Sequence, residues 1–110
     1  MGSIGKNDRN NFLFFRDSTT SMFCIPANKI TLVVTEGDTD VAIYYEGDDG
    51  DAGSLNLLTT SGSEHTVILA IAELMVNGRG VVTVADDVDN IYCSSSLSQE
   101  NAVTAFTPSA

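Results

Sequence analysis

The stretch from Ile30 to Glu46, ITLVVTEGDTDVAIYYE, decides the fold. In its first half Ile30, Leu32 and Val34 alternate with Thr31, Val33 and Thr35; in its second half Val41, Ile43 and Tyr45 alternate with Ala42, Tyr44 and Glu46. A period of two in β-branched and aromatic residues is the pattern of a strand with one buried face. The intervening EGDTD has a length common in hairpin loops, so the centre of the chain is predicted to be an antiparallel hairpin.

Working towards the N-terminus, Phe12 to Arg16 (FLFFR) and Met22 to Ile25 (MFCI) are short apolar runs on either side of the turn-forming RDSTTS, a second predicted hairpin that Pro26 closes. Residues 1 to 11 are polar and rich in Asn and Gly, which reads as a flexible arm. On the other side, the acidic loop GDDGDAG leads into SLNLLTT, a shorter strand with Leu55 and Leu57 on one face.

The period then changes. Ser61 and Glu64 have the spacing of a capping box, and Val67, Ile68, Ile71, Leu74 and Met75 recur at helical spacing until Asn77 and Gly78 supply a C-cap. A helix over about 62–76 is predicted, its apolar stripe packed on a sheet. Gly80 to Ala85 and Asn90 to Ser94 return as strands around the turn Asp86 to Asp89, and Ala102 to Phe106 can form a last strand within a Ser/Thr/Ala-rich tail. No internal repeat is present.

With 110 residues and 11.6 kDa the chain is large enough for one core and too small for two. The expected organisation is an arm at 1–11, a single domain at 12–94 and a tail at 95–110. The expected fold class is α+β, mainly β: a mostly antiparallel sheet of six or seven short strands with one amphipathic helix packed on it.

Charge divides unevenly. Residues 1–29 carry four basic residues against two acids, a net of +2, whereas residues 30–110 carry Arg79 alone against thirteen acids, a net of −12; together they give −10. A body this acidic repels phosphate backbones, so nucleic acid is not expected as a partner. The longest apolar stretch, Val67 to Val76, is interrupted by Glu73 and falls well short of the roughly 20 residues that span a bilayer, so no membrane partner is expected. The start of the chain has no apolar signal-peptide core, and Lys6 stands where a myristoylation motif needs Ser or Thr.

Little in the sequence points to catalysis. The single histidine, His65, falls in the first turn of the predicted helix, on an exposed position with no cysteine or serine partner arranged beside it. Gly78 and Gly80 begin a GxG, but Thr83 occupies the third glycine position. Cys24 and Cys93 lack a CxxC spacing and read as small apolar side chains inside strands, with a disulfide between them left open. Asp48, Asp49 and Asp51 form the densest acid cluster and are a weak candidate cation loop; solvated turn chemistry is the blander reading, and no metal or cofactor is expected.

What remains is an acidic β-rich body flanked by segments that cannot bury a core alone, a design suited to assembly. Partner binding is assigned to Lys6, Arg9 and Asn10 of the arm, with Phe12 and Phe14 as apolar anchors; the alternative is that both Phe side chains are intramolecular core.

Three stretches carry a resemblance: FLFFRDSTTSMFCIPANKI (12–30), SEHTVILAIAELM (63–75) and GVVTVADDVDNIY (80–92), about 45 of the 110 residues. In these the chain resembles small virion structural proteins of marine tailed bacteriophages, especially those that infect cyanobacteria. The resemblance implies a non-enzymatic particle component located in the virion and assembled in the host cytoplasm. The implied role is capsid decoration or cement, with many copies bound to the major capsid protein. A neck or tail component shares the same composition, and an acidic DNA mimic that inhibits a host protein is the alternative from a different class. The resemblance brings no catalytic residues.

Overall fold

The computed structural model describes residues 11–47, 52–98 and 102–107. They form an α+β fold, mainly β, in the order β1 (Asn11–Ser18), β2 (Ser21–Pro26), a single 3₁₀ turn (Ala27–Lys29), β3 (Ile30–Glu36), β4 (Asp40–Glu46), β5 (Ala52–Leu58), α1 (Glu64–Asn77), β6 (Gly80–Asp86), β7 (Ile91–Tyr92) and β8 (Val103–Thr107). Both predicted hairpins form, and the alternation of apolar residues sets their register: Phe14 faces Cys24 across β1 and β2, and Val33 faces Ile43 across β3 and β4.

The strands among the described residues number eight and are divided between two sheets. The first runs β2-β1-β6-β7 and the second β3-β4-β5-β8; every pairing is antiparallel except β1 with β6. The division follows from where the chain can turn. Pro26 and the 3₁₀ turn end β2 and deliver β3 to the second sheet, since proline cannot donate to a continuing ladder. The helix then carries the chain back from β5 to β6.

The inner faces of the two sheets share one core. Leu13 and Phe15 from β1, Ile25 from β2, Val41 and Ile43 from β4, and Leu55 and Leu57 from β5 meet Val67 and Ile71 of α1. Phe15 stacks on Phe23 with ring centroids 5.4 Å apart. The helix packs against β1 of the first sheet and against β3 and β4 of the second. Burying a Leu or Phe side chain in this way contributes on the order of 2 kcal/mol apiece.

Two expectations are corrected, the capping box and the burial of Cys24. The helix starts at Glu64 after Ser63, which makes no side-chain cap, and Ser61 lies in a turn with Gly62 at φ 79°, so the capping box does not form. The expected C-cap does form: Gly78 caps α1 in an extended conformation, its N–H donating to Leu74 O at 2.9 Å, and a Cβ on it would lie 2.5 Å from that same oxygen. Close approach, not a positive φ, selects glycine there. Cys24 is exposed, because Phe23 and Ile25 take the inward positions of β2. Asn11 is a buried residue of β1, Leu97, Ala102 and Val103 are core, and the last strand expected near 102–106 forms as β8 and completes the second sheet.

Candidate functional site

The parallel and antiparallel neighbours of β1 place one set of side chains on the outer face of the first sheet. Phe12 stands between Pro26 and Val81, Phe14 between Cys24 and Thr83, and Arg16 between Met22 and Asp86, with Ile91 next to Asp86 on β7. Four of these are large, apolar and open to solvent: Phe12 is 38% exposed, Met22 48%, Val81 64% and Ile91 51%. Phe14 is half-buried beside them, and neither Phe12 nor Phe14 joins the core that Leu13 and Phe15 fill. Isolated exposed apolar residues are normal, but here Phe12 and Val81 stand together at one end of the face and Met22 and Ile91 flank Arg16 and Asp86 at the other, a gathering of the kind that marks an interaction surface.

The cation in this face, Arg16, is held by carboxylates. The Arg16 guanidinium lies 3.8 Å from Asp86 Oδ2 and 3.5 Å from Asp89 Oδ2. Asp86 is itself buried and fixed, its Oδ1 accepting the N–H groups of Val88 at 2.9 Å and Asp89 at 3.0 Å in an Asx turn. Asn90 closes the turn at φ 57°, a conformation its short amide side chain tolerates. Arg16 thus reaches the surface at a set position while its Nε stays buried without a hydrogen-bond partner.

The next aspartate faces the other way and is structural. Asp87 Oδ1 accepts the Ala102 N–H at 2.8 Å and the Tyr92 hydroxyl at 2.7 Å, and Oδ2 accepts the Val103 N–H at 2.9 Å. Its own N–H donates to Arg16 O at 2.8 Å. The Asp86–Asp89 turn is therefore a pair of anchors, one orienting Arg16 and one holding β8. The DDVD spelling gave no sign of this division, because Asx turns and long-range acceptors use the same residue.

The outer face of the second sheet is more polar. Glu36 accepts the Tyr44 hydroxyl at 2.9 Å and the Asn56 amide at 3.3 Å. The proximity of that carboxylate, through the hydrogen bond first and its charge second, raises the Tyr44 phenol above its ordinary range.

Open grooves occur among the described residues, two of them with a cysteine in the wall. One, about 250 Å³, is lined by Ala70, Glu73, Leu74, Asn77, Gly78 and Cys93. Burial pushes the Cys93 thiol up to about 11, so it is protonated and weakly nucleophilic at neutral pH. The other, about 210 Å³, includes Cys24, Lys29, Tyr45 and Glu46. His65 is exposed at the start of α1 and lines neither groove. No group of three His, Cys, Asp or Glu side chains is assembled for a metal among the described residues.

Of the predicted contact residues, Phe12 and Phe14 are thus brought together on the outer face, while Lys6, Arg9, Asn10 and the loop Asp48, Asp49 and Asp51 lie outside the described residues. Sequence reasoning missed Met22, Val81 and Ile91. The signal was available in the alternation of β1: once Leu13 and Phe15 are core, whatever pairs with Phe12 and Phe14 must point outward. Comparison with family models, with curated proteins and with solved structures finds no match for this chain.

Proposed function

We propose that this chain is a non-enzymatic structural protein that docks through the outer face of its first sheet, and that its setting is the virion, as a capsid decoration or cement protein on the major capsid protein lattice. The docking part of this reading is carried by one observation, the exposed Phe12, Met22, Val81 and Ile91 on the same outer face as the fixed Arg16. The virion setting rests on the resemblance of the three stretches quoted above.

The physics of such a role agrees with the rest of the molecule. Apolar anchors around a single oriented guanidinium resemble the centre of an interface, where aromatic residues, Met and Arg are enriched. Weak contacts per copy sum over a lattice through avidity. A net charge of −10 keeps free copies from adhering to one another, and salt screens that repulsion once they sit side by side.

The test is quantitative mass spectrometry of purified particles. Copy numbers on the order of hundreds per particle support a shell position, where avidity has most effect. A few to a dozen copies replace it by a neck or tail position, and absence from particles overturns the virion reading.

A further inference from the structure

We infer that the outward face of α1 docks a basic amphipathic helix from a partner protein. This surface is distinct from the outer face of the first sheet, and the inference does not rest on the capsid reading.

From Val67 to Val76 the helix reads VILAIAELMV, in which Glu73 is the only polar residue. A helix lying on a sheet normally keeps one apolar stripe and turns charged residues to water, and a helix apolar on all sides is normally covered on all sides. Here Val67 and Ile71 fill the core, while on the opposite side Leu69 is 55% exposed and Val76 71%, with Ala72 open between them. The exposed positions His65, Leu69, Ala72 and Val76 alternate in steps of four and three residues. That alternation is the seam of a coiled coil, which a second helix crossing at about 20° fills.

The flank of the seam sets the charge of that helix. The groove of about 250 Å³ beside it has apolar Ala70 and Leu74 in its wall together with the carboxylate of Glu73 and the amide of Asn77. Glu73 and Asn77 are exposed, and Glu73 has no ion-pair partner among the described residues. A Lys or Arg side chain suits such a groove, its methylene stem on the apolar atoms and its charged head at the carboxylate.

Charge and area set a second copy aside. Two copies bring together net charges of −10. The strip, about 21 Å by 10 Å for a helix of 14 residues, is roughly a quarter of the 800 Å² or so that each side of a stable dimer buries. One helix laid along α1 matches its length, and a basic one is attracted by the same charge that repels a second copy.

The test is a fluorescence-anisotropy titration of the full chain with helix-stapled peptides of α1's length. The first has Leu at the seam positions and Lys on both flanks, the second has the same seam with Glu on the flanks, and the third has the composition of the first shuffled so that no seam remains. The Lys-flanked peptide is expected to bind at least about tenfold more tightly than either of the others. Leu69→Ser combined with Val76→Ser, at two exposed positions, is expected to weaken it by about tenfold with the circular dichroism spectrum unchanged. Glu73→Lys is expected to narrow the preference for Lys over Glu flanks by about tenfold, a change that a merely structural role for Glu73 would not produce. The proposal is overturned if the Lys-flanked peptide does not bind, if the shuffled peptide binds equally well, if the double seam variant binds at wild-type strength, or if Glu73→Lys leaves the preference as it was. It is also overturned if sedimentation equilibrium shows a dimer of the chain that the double seam variant dissolves, since the seam then belongs to a second copy.

Discussion

The carboxylate of Asp87 accepts the backbone N–H of Val103 at 2.9 Å, so a side chain from the β6–β7 turn of the first sheet holds the first residue of the last strand in the second. The same group accepts the Ala102 N–H and the Tyr92 hydroxyl, so three hydrogen bonds to one carboxylate tie β7 of the first sheet to the start of β8 in the second. Hydrogen bonds to a charged group contribute more than neutral ones, and removing their acceptor leaves buried donors without a partner.

Replacing Asp87 by Ala is therefore expected to cost about 2–4 kcal/mol, and Tyr92→Phe, which removes one of the three bonds, about 1 kcal/mol. Chemical denaturation with two-state analysis measures both. Loss of less than half a kcal/mol for Asp87→Ala would mean that β8 is held by its ladder with β5 alone.

Asn11 gives a second test of the body's limits. Its Nδ2 donates to Leu74 O at 3.2 Å and Met75 O at 3.0 Å, closing the C-terminal end of α1 from β1, in a residue only 3% exposed. Asn11→Ala is expected to destabilise by about 1–2 kcal/mol. Asn11→Asp, nearly isosteric, is expected to cost more at neutral pH, because it aims a carboxylate at two carbonyl oxygens. An Asp variant as stable as the wild type would contradict this arrangement.

How much of this was legible beforehand differs by element. The hairpins and the helix were readable because each buries one face, and the period of Ile30 to Tyr45 or of Val67 to Met75 follows from that burial. The division into two sheets was not, since β1 pairs in parallel with β6 some seventy residues later and no local pattern encodes a partner so distant. The docking face was half legible: Phe12 and Phe14 could be singled out as anchors, whereas Val81 and Ile91 acquire meaning only from that long-range pairing. Asp87 was hidden for a similar reason, as its hydrogen-bond donors lie 15 and 16 residues away.

Glycine at position 53 is required by contact. A Cβ there would overlap the ring of Tyr45, its antiparallel neighbour, in a buried position. Gly53→Ala is expected to cost about 1–3 kcal/mol from overpacking, and the penalty should shrink in a Tyr45→Ser background. A double-mutant cycle by denaturant titration reads the coupling; strictly additive effects would show that the ring yields without cost.

Alkaline pH should weaken the fold. The Cys93 thiol is raised by burial from about 9 to about 11, and Cys24 and Tyr44 are raised in the same direction. A raised native value means the folded state binds the proton more tightly. That contribution is complete below pH 9 and disappears as the pH climbs through about 11. Thermal unfolding between pH 8 and 11 should show a falling melting temperature, with a shallower fall in Cys93→Ala. At pH 8 alkylation should label exposed Cys24 well before Cys93. Equal labelling rates would contradict the environment described for Cys93.

The central claim is that the outer face of the first sheet is a docking surface. Phe12→Asp combined with Val81→Asp changes two exposed side chains that face each other across β1 and β6 and leaves the core intact. Equilibrium binding of labelled wild-type and doubly substituted protein to purified capsids measures the claim directly. Saturable binding by the wild type that the double variant loses, with both proteins folded by circular dichroism, is the result expected here; binding of the double variant at wild-type strength would contradict it.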